Sequence, residues 1–462
     1  MMRWAVVLIP SLLIYLAPFP GFTPQQKHLL GIFAGTIIAL VAQPIAMGAS
    51  VVLGMTLMVL TNTLTAVRAL AGFSNPVVWM IFSAFIFARA MMLTGLGQRI
   101  AYLLIRAFGH SSLTLGYCVA ATNLIVAPFV PSDTGRGGGI IYPIARSLAR
   151  AFDSEPGPSA ERLGAFLMLV GFHSTYTTSA MFLTSMVSNP VVADFANKIA
   201  HFDLTWGKWA LAGSVPGVLG LLVIPWLLFR LHPPEIQDTT AARTLARAEL
   251  DRMGPMSRDE RWLVGILALV MIGWVTASWH PIPNTFVALA GICAMVILRV
   301  IAWDVLLDER RAWDAVMWFA PLLMMADELA KSGIVAKLSK DVFGNIQGWP
   351  WLAGMTALVL IYLYVHYGFA SMTAQTTALY SGFLTAAVST GAPVFVAVMP
   401  LGFFTSLNAG LTHYGTGSAP VFFGPGFVTQ RVWWQLGFLM SLVNLLLWFA
   451  VGLLWWKAIG LW

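Results

Sequence analysis

The sequence predicts an all-α membrane protein of eleven transmembrane helices and two re-entrant helical hairpins, arranged as an inverted repeat. Three observations predict it. Hydrophobic residues make up 58% of the chain and charged residues 10%, too little polar surface to clothe a soluble domain of 462 residues. Apolar runs recur at lengths suited to a bilayer core of roughly 30 Å, about 20 residues of helix. Finally, two polar stretches, 131–136 and 370–374, interrupt sequence otherwise written for lipid, and Ser132 and Thr134 recur as Ser371 and Thr373, each 239 residues on.

The apolar runs fall near 4–17, 28–47, 50–66, 75–95, 162–188, 208–229, 262–279, 283–302, 313–328, 393–411 and 433–456, eleven in all. The first follows Met1, Met2 and Arg3 and resembles a secretory signal. It has no clear small-x-small cleavage site and Pro18 and Pro20 follow at once, so it reads as a retained span. The longest polar connection, 230–261, carries Arg230, Arg243, Arg247, Arg252, Arg258 and Arg261 and is therefore cytoplasmic by the positive-inside bias. Counting outward from it places the N-terminus in the cytoplasm and the C-terminus outside.

Stretches 113–150 and 349–391 fold back at the polar tips. Arg136 and Arg146 are ten residues apart, which is about 15 Å of helix. With Arg146 at the cytoplasmic interface, Arg136 reaches only halfway through the core, so this hairpin dead-ends near mid-depth. Re-entrant backbone survives only where protein or a water-filled cavity surrounds it. The second hairpin is placed by the repeat and enters from outside. The segments upstream echo too: Thr94, Gly95 and Arg99 answer Ser332, Gly333 and Lys337 at a spacing of 238. From the second span on, each half holds five spans and one hairpin, and an odd number of crossings inverts the second copy. Secondary transporters place a substrate site between such copies.

A helix broken at mid-membrane bares N–H and C=O groups that lipid cannot satisfy. Ser132, Thr134, Ser371 and Thr373 can cap such ends and still donate to a ligand. The glycines at Gly135 and 137–139 permit close backbone approach, and helix N-termini facing a shared cavity favour an anion. Arg136 is costly at that depth, roughly 2.5–3.5 kcal/mol on insertion scales, and calls for a partner. Asp133 can be that partner, or Arg136 can add fixed positive charge beside an anion. A second break, 408–418, puts His413 among small polar residues opposite Arg136 in the repeat, and Thr177, Thr178, Ser179 and Ala180 mark the related break in span five. His366 and His173 are weaker candidates.

At these residues the chain resembles the divalent anion/sodium symporter family, and within it the bacterial and plastid branch that exchanges citrate, tartrate, succinate or 2-oxoglutarate for another dicarboxylate. The resemblance runs from Gly72, Phe73, Ser74, Asn75 and Pro76 through Ala127 and Pro128 and the Ser-x-Thr tips to the glycine-bounded block 411–417, and the closing Trp433–Trp434 and Trp455–Trp456 fit as well. It implies a homodimer in a bacterial inner membrane, each protomer having a scaffold part (1–110 and 261–345), a transport part (111–232 and 346–462) that moves as an elevator, and a cytoplasmic linker (233–260). It implies carboxylate binding by Ser132, Asp133, Thr134 and Gly135 and by Ser371, Met372 and Thr373, with Thr178, Ser179 and Thr412 from the breaks. Sodium-coupled relatives carry Asn between Ser and Thr at both tips. Here Asp133 and Met372 stand there, so sodium coordination of the usual kind is not expected. Arg136 and His413 are expected to substitute as tethered charges, which favours sodium-independent exchange over symport, because a fixed charge cannot leave the empty carrier.

No cofactor or metal is expected. HExxH, phosphate-loop and Ser-His-Asp patterns are absent, and Cys118 and Cys293 form no metal-ligand spacing. The net charge of +7 reflects Arg residues at span ends rather than a nucleic-acid surface. The alternatives kept open are a sodium- or proton-coupled dicarboxylate symporter, an arsenite or sodium/proton carrier, a channel, and a membrane-embedded enzyme.

Overall fold

In the computed structural model, which describes residues 2–17, 21–344 and 348–462, the chain is helical throughout. Among those residues there is no strand, only an isolated bridge between Ser111 and Asp238. Pro18 and Pro20 and the expected boundary at 345/346 lie outside the described residues.

After α1 (Met2–Leu16), the first half runs α2 (Pro24–Ala42), α3 (Met47–Leu60), α4 (Pro76–Thr94) and α5 (Leu96–Phe108). The hairpin follows as α6 (Ser112–Val126) and α7. The latter runs from Asp133–Arg136 through a wider turn at Gly137–Ile141 into Tyr142–Ala151. A broken helix, α8 (Gly164–Met181) and α9 (Ser188–Ala200), precedes the long α10 (Trp206–Leu231). The linker folds as α11 (Thr240–Met253). The second half repeats the order: α12 (Arg258–Val275), α13 (Asn284–Ile297), α14 (Arg310–Lys331), α15 (Ile334–Phe343), hairpin α16 (Trp351–Tyr364) and α17 (Met372–Ser389), broken helix α18 (Val394–Leu407) and α19 (Ala419–Phe423), and α20 (Gln430–Asn444, continuing to Gly452–Ala458).

Six helical stretches among the described residues are long and apolar enough to cross a membrane. Two of them, Ser112–Phe129 and Trp351–Gly368, are the first arms of the hairpins. One run was read too long. The run 162–188 ends as helix at Met181 and resumes at Ser188, so Thr178 and Ser179 sit inside intact helix and the break is 182–187. The run 393–411 matches the helical stretch Val394–Leu411, whose last turn, Asn408–Leu411, tightens to a 3-10 helix. Every residue of α8 is buried although it carries six Ser, Thr and His side chains beside its apolar ones. It packs on α6, α10 and α18, so this hydroxyl-rich helix lies at the centre of the bundle.

Helices α5, α11 and α15 were not foreseen. They are short and amphipathic, with one apolar stripe each, and so present no continuous hydrophobic run. Gly95 and Gly333, the echoed glycines, both take φ +76°, turning the chain sharply out of α4 into α5 and out of α14 into α15. Each short helix is then latched to the start of the other repeat. Arg99 of α5 grips Glu260 with Nε–Oε1 2.6 Å and Nη2–Oε2 3.1 Å and donates to the Gly254 carbonyl at 2.9 Å. On the other side Gln26 Nε2 donates to the Ser332 carbonyl at 2.7 Å, and Lys337 Nζ lies 4.8 Å from the Phe22 ring centroid. Gln26 and Glu260 hold the same place, each closing a capping box with Thr23 or Ser257.

The Arg99–Glu260 pair is a buried, bidentate one. Arg99→Ala leaves the Glu260 carboxylate in the interior without its cation, which is expected to destabilise the fold by about 3–5 kcal/mol. Thermal unfolding of the purified protein reads this as a lowered midpoint. Burial pushes the Glu260 carboxyl up, but hydrogen bonds from Arg99 and Ser257 outweigh that and hold it below the usual carboxylate range. The stabilisation is therefore complete above the ordinary carboxylate pKa and disappears as pH falls through the depressed one.

Candidate functional site

Both hairpins reach their tips by the same local route. A 3-10 turn (Ala127–Phe129 or Val365–Gly368) ends the first arm, and an extended residue follows, Val130 or Phe369. A serine in β conformation then caps the second arm: Ser132 Oγ accepts from the Gly135 amide at 3.0 Å, and Ser371 Oγ from the Ala374 amide at 3.3 Å. Each cap uses an oxygen lone pair and leaves the hydroxyl proton to donate elsewhere. Ser132, Thr134 and Ser371 are partly exposed, Thr373 is 7% exposed, and Met372 is 1% exposed and faces the interior.

The tips meet on one peptide loop. The Asp133 carboxylate, 2% exposed, accepts from Thr416 Oγ1 and, at 2.7 Å, from Ser418 Oγ. Gly417 between them lies so close to Thr134 that a Cβ there would sit 2.4 Å from its Oγ1. From the second hairpin, His366 Nε2 lies 2.8 Å from the Gly415 carbonyl, and Tyr367 O accepts from Tyr414 at 3.0 Å. Hairpin one therefore holds Thr416 while hairpin two holds its neighbour Gly415. The two tips, 239 residues apart in sequence, close on consecutive residues of 408–418.

Arg136 does not pair with Asp133. Its guanidinium, fully buried, donates to the carbonyls of Val130 (2.8 Å), Ser185 (3.1 Å) and Thr175 (2.8 Å) and to Ser179 Oγ (2.6 Å). It thus fastens tip one to α8 and to the α8–α9 break itself. Its counterpart at the 239-residue spacing is Gln375, not His413. Gln375 performs the matching task, donating to the Tyr362 carbonyl at 2.6 Å and accepting from Asn408 Nδ2 at 2.8 Å. The guanidinium is thus committed to three carbonyls and one hydroxyl.

His413 corrects a second expectation. Its Nδ1 accepts from the Trp434 indole N–H at 3.0 Å, and its ring lies among Phe423, Tyr414 and Trp434. That nitrogen is committed as an acceptor, and the ring faces aromatic side chains rather than either tip. His366, fully buried, is the histidine that lies between the second tip and the loop. Thr178 Oγ1 bonds back to the Ser174 and Thr175 carbonyls, and Ser179 is committed to Arg136. Thr412 Oγ1 and Asn408 Oδ1, by contrast, are buried in the loop without partners.

Beside tip one, Ser132 and Gly135 border a cleft with Phe85, Met92, Glu309 and Arg311. Arg89 Nε stands 3.5 Å from Glu309. Nothing in the tip motif announces these charges, since they come from α4 and the start of α14. The large cavity between α1, α2 and α3 is lined mainly by apolar residues such as Leu8, Leu12, Leu53 and Leu57, with no Lys or Arg among its lining. Among the described residues no three His, Cys, Asp or Glu gather as metal ligands.

The whole chain, residues 1–462, matches the family described as the sodium:sulfate symporter transmembrane region. The chain belongs to this family. Members are transporters, and the fold of this one is a helical transporter fold. It is 40% identical over 467 residues to the putative malate transporter YflS of Bacillus subtilis, covering 99% of this chain and 98% of that one. It is 41% identical over 459 residues to the chloroplastic dicarboxylate transporter 1 of Spinacia oleracea, with 98% and 81% covered. The L-tartrate/succinate antiporter of Escherichia coli shares 32% over 474 residues, with 98% and 97% covered. Among solved structures, the Alcanivorax borkumensis YdaH transporter superposes with TM-score 0.59 at 16% identity, over 87% of this chain and 89% of that one. At that identity the likeness concerns fold alone.

Proposed function

We propose that this symporter-family protein exchanges one di- or tricarboxylate for another across a bacterial inner membrane, without sodium. The observation that carries the reading is the closure of both serine-capped tips on Gly415 and Thr416. On this reading the two capped helix N-termini, each with a donor hydroxyl, are the two walls of one carboxylate site. Relatives named as malate, dicarboxylate and tartrate/succinate carriers support the substrate class. The N-terminus lies in the cytoplasm and the C-terminus outside, and two protomers assemble. The hairpins, broken helices, α10 and α20 travel together as an elevator past the remaining helices. A counterflow panel in proteoliposomes, with succinate, malate, tartrate, citrate and 2-oxoglutarate inside and out, tests it. Exchange independent of sodium is expected; strong sodium-driven uptake into empty vesicles would reject it.

A second reading, cation-coupled symport, is favoured by the partnerless oxygens Asn408 Oδ1 and Thr412 Oγ1, which a bound cation would satisfy. The same panel separates the two.

Elevator motion has a checkable contact. Lys198 of α9 bridges Asp194 at 2.6 Å and, across to α14, Asp327 at 2.5 Å. A third of the Lys198 side chain is exposed, so the bridge is worth about 0.5–1 kcal/mol. Asp327→Asn is expected to change the initial exchange rate only a few-fold, with unchanged unfolding temperature, because it shifts the balance between transport states rather than the fold.

A further inference from the structure

We propose that His366 is a proton-binding site, occupied in this state, whose imidazolium locks hairpin two to the 408–418 loop. The argument is one of donors and acceptors. Gln375 Nε2 faces the Tyr362 carbonyl at 2.6 Å, and a carbonyl accepts only, so the orientation of this amide is fixed. Its Oε1 therefore turns to Asn408 Nδ2 and to His366 Nδ1. The other ring nitrogen, Nε2, faces the Gly415 carbonyl. Both nitrogens meet acceptors, and a neutral imidazole has one N–H to give. With the proton gone, one contact would set lone pair against lone pair, and either Gln375 or Gly415 must move away.

Burial opposes a charge here, and the two fixed acceptors oppose its loss. The charged groups across the loop are Asp133, which holds Thr416 beside the Gly415 that His366 meets, and Arg136 one turn further on. The other titratable groups on the packed elements are Tyr362, Tyr364 and Tyr367 on its own arm, Tyr380 on α17, and His413 and Tyr414 on the loop. No carboxylate contacts the ring directly, so its proton serves the junction between tip and loop rather than a local ion pair.

The inference rests on the proposed exchange only for its consequence: loss of the proton releases the loop and slows turnover. The site itself is tested without transport. Imidazole ¹⁵N spectra of the full chain in nanodiscs at neutral pH should contain one buried histidine with both nitrogens protonated, its signal missing in His366→Gln. If that variant fails to fold, replacing the other histidines in turn assigns the signal by elimination. A neutral ring at His366 overturns the proposal even if exchange is intact. Counterflow in the same preparation, with a substrate fully ionised throughout, should fall by roughly tenfold per pH unit beyond the histidine's titration. His366→Gln should flatten that profile; an unchanged profile would overturn the coupling. Absence of exchange from the wild type would instead remove the functional reading and leave the spectral result standing.

Discussion

Arg136→Ala is expected to abolish exchange and to lower thermal stability sharply, and the two losses have one cause. The side chain supplies charge-assisted hydrogen bonds to Val130, Thr175, Ser179 and Ser185 in a site without water exposure. Bonds to a charged group are worth about 1.5–3 kcal/mol each and do not add fully. Truncation strips a charged donor from three carbonyls, one of which, Thr175, keeps the Thr178 and Ser179 hydroxyls, so a loss of about 4 kcal/mol or more follows. Arg136→Lys does not rescue it, because one ammonium cannot reach Val130, α8 and Ser185 within the α8–α9 break at once as a planar fork does. Arg136→Gln is the informative variant, since Gln375 fills the matching place in the second hairpin. If the guanidinium serves only as a latch, Arg136→Gln recovers a good part of the melting temperature and of exchange. If its charge also balances the substrate, stability returns and exchange does not. Counterflow and unfolding, run on the same three variants, decide between these outcomes.

The repeat explains why much of this was legible before any coordinates. The Ser-x-Thr tips, the hairpins and the eleven runs all follow from hydropathy and one sequence offset, because lipid enforces a coarse pattern that side-chain detail cannot hide. Where reading failed, the decisive fact was a direction. His413 lies beside a glycine-rich break and was expected to be charged, yet its ring turns toward Trp434; His366 looked ordinary in an apolar arm but turns to Gln375 and Gly415. One signal was available and went unused: the 239-residue offset pairs Arg136 with Gln375 and marks both as latches. Helices α5 and α15 escaped because their apolar stripe covers one face only, whereas their latches to Glu260 and Phe22 depend on residues far away in sequence. The boundaries of α8 were misjudged for a related reason. Thr177, Thr178 and Ser179 suggested a break, but buried hydroxyls bonding the preceding turn are compatible with intact helix.

Asp133 separates the electrostatic account from its rivals. Asp133→Ala removes the acceptor shared by Thr416 and Ser418, uncoupling tip one from the loop, and is expected to cut exchange by more than tenfold at a cost of about 2–3 kcal/mol in stability. Asp133→Asn keeps an oxygen for both hydroxyls and places an amide where Thr134 Oγ1 can accept it. Only the negative charge is lost. A carboxylate some 8 Å from a dianion at an effective dielectric near 20 repels it by about 2 kcal/mol per unit charge, part of which salt and rearrangement absorb. The apparent affinity for succinate or malate should therefore rise roughly tenfold, about 1.4 kcal/mol. The maximal rate should fall as release becomes harder. A rise in affinity that appears only with sodium present would point elsewhere: the amide would then be completing a cation site with the partnerless oxygens of Asn408 and Thr412. Unchanged affinity with and without sodium would mean that the substrate binds too far from this tip to sense its charge, which contradicts a site between the two serine caps.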